Sequence, residues 1–157
     1  MFNIVFICYG NICRSPMAEM IFKDIMYKNS KRYLFNIESR STSMEEIGNP
    51  IYPPAIESLK MHSVTIEKHF ATQFKKDDYD KFDYIIVMEE RNRRDVLSII
   101  GEDKLNKIHL MKEHSESKND IPDPWYTGDF ESAFKDIQEG CTDWFNYLVN
   151  KEADNEV

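Results

Sequence analysis

Residues 4 to 16 read Ile-Val-Phe-Ile-Cys-Tyr-Gly-Asn-Ile-Cys-Arg-Ser-Pro, and they contain the clearest signals of the fold class. Residues 2–7 are apolar apart from Asn3, which is typical of a strand in a parallel sheet that is covered on both faces. Cys8 ends that strand, and a tight turn follows. Ser15 and Pro16 then open a helix, because proline is tolerated in the first turn, where its missing N–H is not needed. The order of strand, turn and helix predicts an α/β fold that begins with this unit.

The same alternation of elements continues along the chain. Strands are predicted at 2–7, 33–39, 84–88 and 108–111, and helices at 17–28, 55–61, 90–100 and 130–149. Loops are predicted at 41–54 and 115–128, whereas 64–73 fits neither periodicity. We expect one domain over residues 1–150 and a polar, frayed tail at 151–157. Strands that alternate with helices imply an open parallel sheet with right-handed crossovers, and a ligand lies beyond the carboxyl ends of its strands.

Composition limits the class of protein. The chain has 157 residues, a formal net charge of −8 and three cysteines. The acidic balance argues against a nucleic-acid partner, which needs a basic face. The sequence contains no run of 18 apolar residues that could span a membrane. The amino-terminal segment lacks the features of a signal peptide. An odd number of cysteines does not suggest a disulfide framework. We therefore expect a cytoplasmic protein without a membrane partner, and a monomer is the favoured oligomeric state.

The turn after the first strand has the residue types that an anion site beside a sulfur nucleophile needs. A thiolate is the nucleophilic form of cysteine, and a helix N-terminus and the Arg14 guanidinium both favour it at Cys8. Ser15 could donate a hydrogen bond to the sulfur. Gly10 and Asn11 accept backbone conformations that other residues resist, so successive N–H groups could point inward as an anion nest. The planar fork of Arg14 matches two phosphoryl oxygens.

A second segment supplies a candidate acid. A cysteine that attacks a phosphoester needs an acid to protonate the departing oxygen. Asp123 stands between two prolines that stiffen its loop, and Trp125 and Tyr126 follow as an aromatic pair able to stack on a flat ring. Each segment alone has an ordinary explanation, a buried core cysteine for Cys8 and a solvated turn for Asp123. Their combination favours catalysis.

The two segments Ile7–Pro16 and Asp123–Tyr126 together resemble the low-molecular-weight protein tyrosine phosphatases, and the resemblance covers nearly the whole chain. Supporting positions that fit the family are Ser39, Gly48, His69 with Gln73, Met88 and Asn92. The resemblance implies a flavodoxin-like open sheet of four parallel strands in the order 2-1-3-4, with helices on both faces.

It also implies a function: a protein tyrosine phosphatase that hydrolyses phosphotyrosine in a protein or peptide and releases inorganic phosphate. In this interpretation Cys8 is the nucleophile that forms a cysteinyl-phosphate, and Asp123 is the general acid and then the general base. Arg14 binds the phosphoryl group, Ser39 and His69 support the loop, and no metal or cofactor takes part. The remaining substrate- and phosphate-binding positions would be Tyr9, Gly10, Asn11, Ile12, Cys13, Ser15, Trp125 and Tyr126. Cys13 would also form a reversible disulfide that spares Cys8 from over-oxidation.

Four positions depart from the family pattern and leave substrate preference open. Tyr9 replaces a frequent leucine, Glu45 stands where some relatives have an aromatic, Trp125 replaces a common tyrosine, and Glu89 replaces an aspartate. The change at residue 45 removes one aromatic wall of the substrate slot and adds negative charge beside it.

Three alternative functions share parts of this pattern. Protein-arginine phosphatases have a threonine in the loop where this chain has Ile12, and an apolar side chain suits an aromatic ring better than a guanidine phosphate. A cysteine phosphocarrier domain, which belongs to another class, needs a long-lived intermediate, so an arginine clamp and an acid would work against it. Thioredoxin-coupled arsenate reductases need further cysteines after the central strand, and residues 80–100 contain none.

Overall fold

Four parallel strands form the centre of the molecule. The structure, a computed structural model, describes residues 1–155. Its strands are β1 (Phe2–Cys8), β2 (Phe35–Ser41), β3 (Tyr84–Val87) and β4 (Ile108–Leu110), and they lie side by side in the order β2-β1-β3-β4. All three neighbouring pairs are parallel. The predicted sheet and its strand order are confirmed.

Helices cover both faces of this sheet. They are α1 (Arg14–Lys28), α2 (Pro53–Met61), α3 (Asp78–Lys81), α4 (Glu90–Ile100), α5 (Pro124–Thr127) and α6 (Phe130–Asn155). Successive side chains of a strand point to opposite faces. Ile4 and Phe6 of β1 therefore pack in one apolar cluster with α1, α2 and α6, while Val5 and Ile7 pack in another with α4. Burial on both faces explains why the first strand is apolar from Ile4 to Cys8.

Several predicted boundaries were wrong. The second strand was expected at 33–39, but it lies two residues later, because a 3-10 turn at Arg32–Leu34 precedes it. The loop expected at 115–128 contains the short helix α5. The last helix continues through Asn155 instead of ending at residue 149, so most of the expected frayed tail is helical, and residues 156 and 157 lie outside the described part. The ambiguous segment 64–73 forms neither a helix nor a strand, only isolated bridges at Phe70 and Gln73.

The topology brings distant segments to the carboxyl edge of the sheet. There the backbone N–H of Thr42 donates to the carbonyl of Cys8 at 3.1 Å, and the N–H of Ser41 donates to the carbonyl of Thr72 at 2.8 Å. The N–H of Ile121 donates to the carbonyl of Met88 at 3.0 Å. These contacts place the end of β1 beside the end of β2, the end of β2 beside the segment 64–73, and the end of β3 beside the loop that leads to α5. Within residues 1–155, no helix is long and apolar enough to cross a membrane.

Candidate active site

The sulfur of Cys8 lies at the bottom of a loop that directs hydrogen-bond donors toward it. Cys8 ends β1 and Arg14 begins α1, so the loop between them closes around the end of the strand. The backbone N–H groups of Asn11 and Ser15 donate to the Cys8 sulfur at 3.3 and 3.4 Å. The Ser15 hydroxyl lies 3.0 Å from the same sulfur and forms a hydrogen bond with it. This arrangement favours a negatively charged sulfur, and the residue is only 3% exposed.

Asn11 is the hub of the loop. Its φ of 60° is the left-handed conformation that the sequence predicted for it. Its side-chain amide donates to the hydroxyls of Ser15 and Ser39 at 2.8 and 3.0 Å. Its side-chain oxygen accepts from the backbone N–H of Thr72 at 3.0 Å, and its carbonyl lies 3.0 Å from Nε2 of His69. The two residues expected to support the loop, Ser39 and His69, therefore both contact Asn11.

A buried carboxylate continues this network toward the surface. The Ser39 hydroxyl donates to Glu19 at 2.7 Å, and Glu19 pairs with Lys23 at 2.7 Å. Lys23 also pairs with Glu67 at 2.7 Å. Sequence reasoning did not identify Glu19 or Thr72, because neither belongs to a local motif. The only signal in the sequence was a glutamate among the apolar residues in the first half of α1, where Glu19 is buried as they are.

Arg14 is buried and held by three acceptors. It is 2% exposed, and one nitrogen of its fork donates to Glu89 at 2.6 Å and to the Ile121 carbonyl at 2.8 Å. The other fork nitrogen lies 3.3 Å from Asp123. Burial acts to lower the pKa of Arg14, but the negative charges of Cys8, Asp123 and Glu89 outweigh it, so the pKa of Arg14 is raised. The guanidinium is therefore a permanent cation at the bottom of the site.

Asp123 combines a place in the site with a structural role. It is the N-cap of α5, and its side chain accepts a hydrogen bond from the Trp125 backbone N–H at 3.0 Å. Satisfying an N-terminal donor in this way fixes the orientation of the capping side chain. The Trp125 ring packs against Tyr52, with ring centroids 4.8 Å apart. The aspartate and the aromatic side chain next to it are thus held by one short helix.

Cys8, Arg14 and Asp123 line a single pocket, whereas Asn11 and Ser15, which were expected to bind phosphate, are not among its lining residues. Its floor consists of the deeper loop positions Cys8, Ile12, Cys13 and Arg14, together with Asp123, which contacts Arg14. Its rim consists of Tyr9, Gly10, Glu45, Glu46, Trp125 and Tyr126. The structure therefore brings the first loop and the aspartate segment to one cavity, as the sequence predicted. The expectation for Gly10 was wrong: its φ is not positive, and an added Cβ would only touch Glu46 and Ile12 at 3.5 and 3.7 Å.

Tyr9, whose role the sequence left open, stands at the rim. Its hydroxyl donates to Glu45 at 2.7 Å, and the Arg91 guanidinium lies 4.5 Å from the centre of its ring. The hydrogen bond to Glu45 raises the pKa of Tyr9, so the hydroxyl stays a donor. Glu45 therefore occupies the position predicted for it beside the slot, and Tyr9 fixes it there.

The three cysteines are all free thiols in buried positions. Burial raises the pKa of the Cys13 thiol, and the negative charges of Cys8 and Asp123 add to this effect. Cys141 is fully buried in the apolar cluster between α1 and α6 and belongs to the core. Among residues 1–155, no group of three or more histidine, cysteine, aspartate or glutamate side chains could hold a metal ion.

Fold and pocket together define a class, namely α/β proteins with an anion cradle around a cysteine at the carboxyl edge of a parallel sheet. The model of the family described as low molecular weight phosphotyrosine protein phosphatase matches residues 3–155. The chain is 36% identical over 143 residues to low molecular weight protein-tyrosine-phosphatase YfkJ of Bacillus subtilis, covering 90% of this chain and 92% of that protein. It is also 36% identical over 144 residues to the low molecular weight phosphotyrosine protein phosphatase of Gallus gallus, covering 88% and 90%.

Structural comparison gives the same result. The crystal structure of YfkJ from Bacillus subtilis superposes with a TM-score of 0.92 at 33% identity, covering 96% of each chain. The chain therefore belongs to the low molecular weight phosphotyrosine protein phosphatase family.

Proposed function

We propose that this chain is a protein tyrosine phosphatase that hydrolyses phosphotyrosine through a covalent cysteinyl-phosphate on Cys8. One observation carries the proposal. The Cys8 sulfur accepts from two inward-pointing backbone N–H groups on the floor of a pocket that also holds Arg14 and Asp123. A nucleophile, an anion cradle and an acid within one cavity are the parts that phosphoester hydrolysis needs.

In the first step the Cys8 thiolate attacks phosphorus, and a sulfur–phosphorus bond forms. The bond from phosphorus to the phenolic oxygen breaks, and its electron pair stays on that oxygen, which takes the proton of Asp123. Arg14 and the N–H groups of the loop stabilise the negative charge on the phosphoryl oxygens.

In the second step a water molecule attacks the phosphorus of the cysteinyl-phosphate. Asp123, now a carboxylate, takes the proton of the water, and the sulfur–phosphorus bond breaks. The electron pair returns to Cys8, which leaves as a thiolate that the hydrogen bond from Ser15 stabilises. Inorganic phosphate is released, and the enzyme is back in its starting state.

Two features support an aromatic substrate. Ile12 lies in the floor of the pocket, and Trp125 and Tyr126 stand at its rim, where their rings can flank a phenyl group. A comparison of kcat/KM for phosphotyrosine, phosphoarginine and phosphoserine forms of one peptide tests this choice. We expect the phosphotyrosine peptide to be the preferred substrate, and a preference for phosphoarginine would assign the chain to the protein-arginine phosphatases instead.

The roles of the catalytic residues are tested by two variants. Cys8→Ser should abolish turnover of p-nitrophenyl phosphate, and full activity would refute Cys8 as the nucleophile. Asp123→Ala should slow the hydrolysis of phosphotyrosine by about 10²–10⁴-fold, and that of p-nitrophenyl phosphate much less, because p-nitrophenolate leaves without protonation. The matched control is Asp80→Ala, which removes an exposed aspartate from α3. Equal losses for both leaving groups would count against the acid role.

The floor of the pocket also supports a redox proposal. Cys13 lines the same cavity as Cys8, five residues along one loop. Hydrogen peroxide would oxidise the Cys8 thiolate to a sulfenic acid while its own O–O bond breaks. The Cys13 sulfur would then attack the Cys8 sulfur, water would leave, and a disulfide would form. Because its raised pKa keeps Cys13 a thiol, Cys8 is the residue that peroxide oxidises first.

A further inference from the structure

The rim of the pocket has one carboxylate that the catalytic mechanism does not use. Glu45 stands at the mouth of the cavity, on an exposed turn after β2. The same turn exposes two apolar side chains, Met44 and Ile47. This turn forms one side of the rim of the pocket. A charge at this position therefore meets the part of the substrate that stays outside the cradle.

Glu45 is held in place although it is exposed. The Tyr9 hydroxyl donates to one of its carboxylate oxygens at 2.7 Å, and the face of the Tyr9 ring is covered by Arg91 at 4.5 Å. A side chain fixed in this way loses less conformational entropy when it binds a partner than a free glutamate does. Tyr9 acts here as a positioning residue for Glu45.

The charges around the pocket leave Glu45 without a cation. Glu45, Glu46 and Asp123 face the cavity, and Arg14 is the cation among the lining residues. Arg14 already pairs with Glu89 and Asp123 on the floor. Within residues 1–155, no lysine, arginine or histidine side chain forms an ion pair with Glu45. Glu46 differs, because the Asn49 side chain donates to it at 2.6 Å within the same turn.

We propose that Glu45, positioned by Tyr9, makes the enzyme prefer phosphotyrosine peptides that carry lysine or arginine beside the phosphotyrosine. This inference rests on the proposed function and specifies its substrate class. With the phosphate in the cradle and the ring beside Trp125, the peptide backbone lies at the rim. A flanking basic side chain then reaches Glu45, and a flanking acidic one is repelled by it. Arg91 covers the Tyr9 ring and is the nearby cation that an acidic peptide would use.

The test uses three peptides that differ only in the residues on both sides of phosphotyrosine, which are lysine, serine or glutamate. We expect kcat/KM to fall in that order, with a lysine-to-glutamate ratio of roughly three- to tenfold at low ionic strength, as for exposed ion pairs. The ratio should shrink toward one as salt is raised. Each ratio is taken within one variant, so a general change in activity cancels. Hydrolysis of p-nitrophenyl phosphate, which has no flanking residues, reports on the proposed function alone.

Three variants assign the preference to Glu45. Glu45→Gln keeps an acceptor for Tyr9 but removes the charge, so the ratio should fall to near one. Tyr9→Phe should reduce the ratio in the parent enzyme and leave it unchanged in the Glu45→Gln background, because a positioning residue has nothing left to position there. Glu102→Gln removes the same charge from an exposed site just beyond the far end of α4 and should keep the full ratio.

The outcomes distinguish the role of Glu45 from the proposed function. Equal kcat/KM for all three peptides, with normal hydrolysis of p-nitrophenyl phosphate, would overturn the role of Glu45 and leave the proposed function intact. A preference for the glutamate peptide that Arg91→Gln removes would replace Glu45 by Arg91 as the selecting residue. No hydrolysis of any phosphotyrosine peptide or of p-nitrophenyl phosphate would overturn the proposed function itself.

Discussion

The floor and the rim of the pocket are built in opposite ways. Cys8 and Arg14 on the floor, and Asn11 in the same loop, are each at most 3% exposed. Asn11 and Arg14 are held by hydrogen bonds to segments far away in the sequence. On the rim, Trp125 is 51% exposed and Tyr126 is 76% exposed. Asn11 and Arg14 each have several partners, whereas Glu45 at the rim depends on the hydroxyl of Tyr9.

This difference separates the chemistry from the choice of substrate. Asn11 and Arg14 cannot change without breaking buried hydrogen bonds, so the fold and the proposed reaction depend on the same side chains. A rim residue can change at little cost in stability, because exposed positions outside caps and networks contribute little to it. Variation of substrate preference should therefore concentrate at the rim. Three positions that depart from the family pattern, Tyr9, Glu45 and Trp125, lie there, whereas the fourth, Glu89, pairs with the buried Arg14.

The largest expected effect is the loss of activity when the Cys8 thiolate on the floor is oxidised. Mild treatment with hydrogen peroxide should remove all activity, because it consumes the Cys8 thiolate, and a dithiol should restore it. Mass spectrometry of the inactive protein should show a Cys8–Cys13 disulfide. In Cys13→Ser we expect the loss to become irreversible. A stable sulfinic acid at Cys8 in the unsubstituted protein would disprove the protective role.

The next largest effect should come from Asn11→Ala. This substitution leaves the Thr72 N–H and the Ser39 hydroxyl without the amide, and it places an alanine at positive φ. We expect the free energy of unfolding in urea to fall by about 2–4 kcal/mol, because three side-chain hydrogen bonds of Asn11 are lost, each worth about 0.5–1.5 kcal/mol. Activity should fall by an order of magnitude or more, on the same hydrogen-bond magnitudes.

Asn146→Ala on the exposed side of α6 is the control for this loss. Because alanine is the better helix former, this variant should gain up to about 0.7 kcal/mol in stability. A stable and fully active Asn11→Ala enzyme would contradict the view that the floor has a hub.

At the rim, Trp125→Ala should affect the substrate and hardly the fold. We expect kcat/KM for a phosphotyrosine peptide to fall by about two- to tenfold, as expected for loss of one aromatic contact. The free energy of unfolding should change by less than about 1 kcal/mol, although the contact with Tyr52 is lost. Trp125→Phe should keep most of the activity. A large loss of stability with unchanged kcat/KM would reverse the assignment of Trp125 to the rim.

The smallest effect concerns the pH dependence of the rim. The pKa of Tyr9 is raised, chiefly by its hydrogen bond to Glu45, so the folded state favours the neutral hydroxyl. Its contribution to stability is present below the ordinary tyrosine pKa of about 10 and is lost as pH rises through the raised value. Unfolding of the parent protein and of Tyr9→Phe should therefore differ slightly at pH 7 and converge in alkaline buffer. A difference that grows with pH would have the wrong sign.

Local patterns in the sequence were sufficient to predict the strands, the loop and the acid segment. The run before Cys8, the Gly-Asn turn and the Arg-Ser-Pro helix start follow each other directly, so near-neighbour rules apply to them. The position of Cys8 at the carboxyl edge followed from the rule for parallel sheets. The resemblance to the family then supplied the strand order, which no local pattern contains.

The parts that could not be predicted depend on contacts between distant segments. Glu19 and Thr72 join the network under Asn11 only because β2 and the segment 64–73 pack beside the loop. The late start of β2 follows from a 3-10 turn, and helix ends are set by tertiary packing as much as by propensity. The sequence singled out Tyr9 but could not reveal its partners, because Glu45 and Arg91 come from two other segments.

The cap that Asp123 forms on α5 affects how this enzyme can evolve. The bond that orients the carboxylate comes from the backbone N–H of residue 125, and every amino acid except proline provides that group. The aromatic side chain at this position can therefore be exchanged while the Asp123 carboxylate keeps its orientation. Single mutations at residue 125 can therefore change substrate preference during evolution without an inactive intermediate.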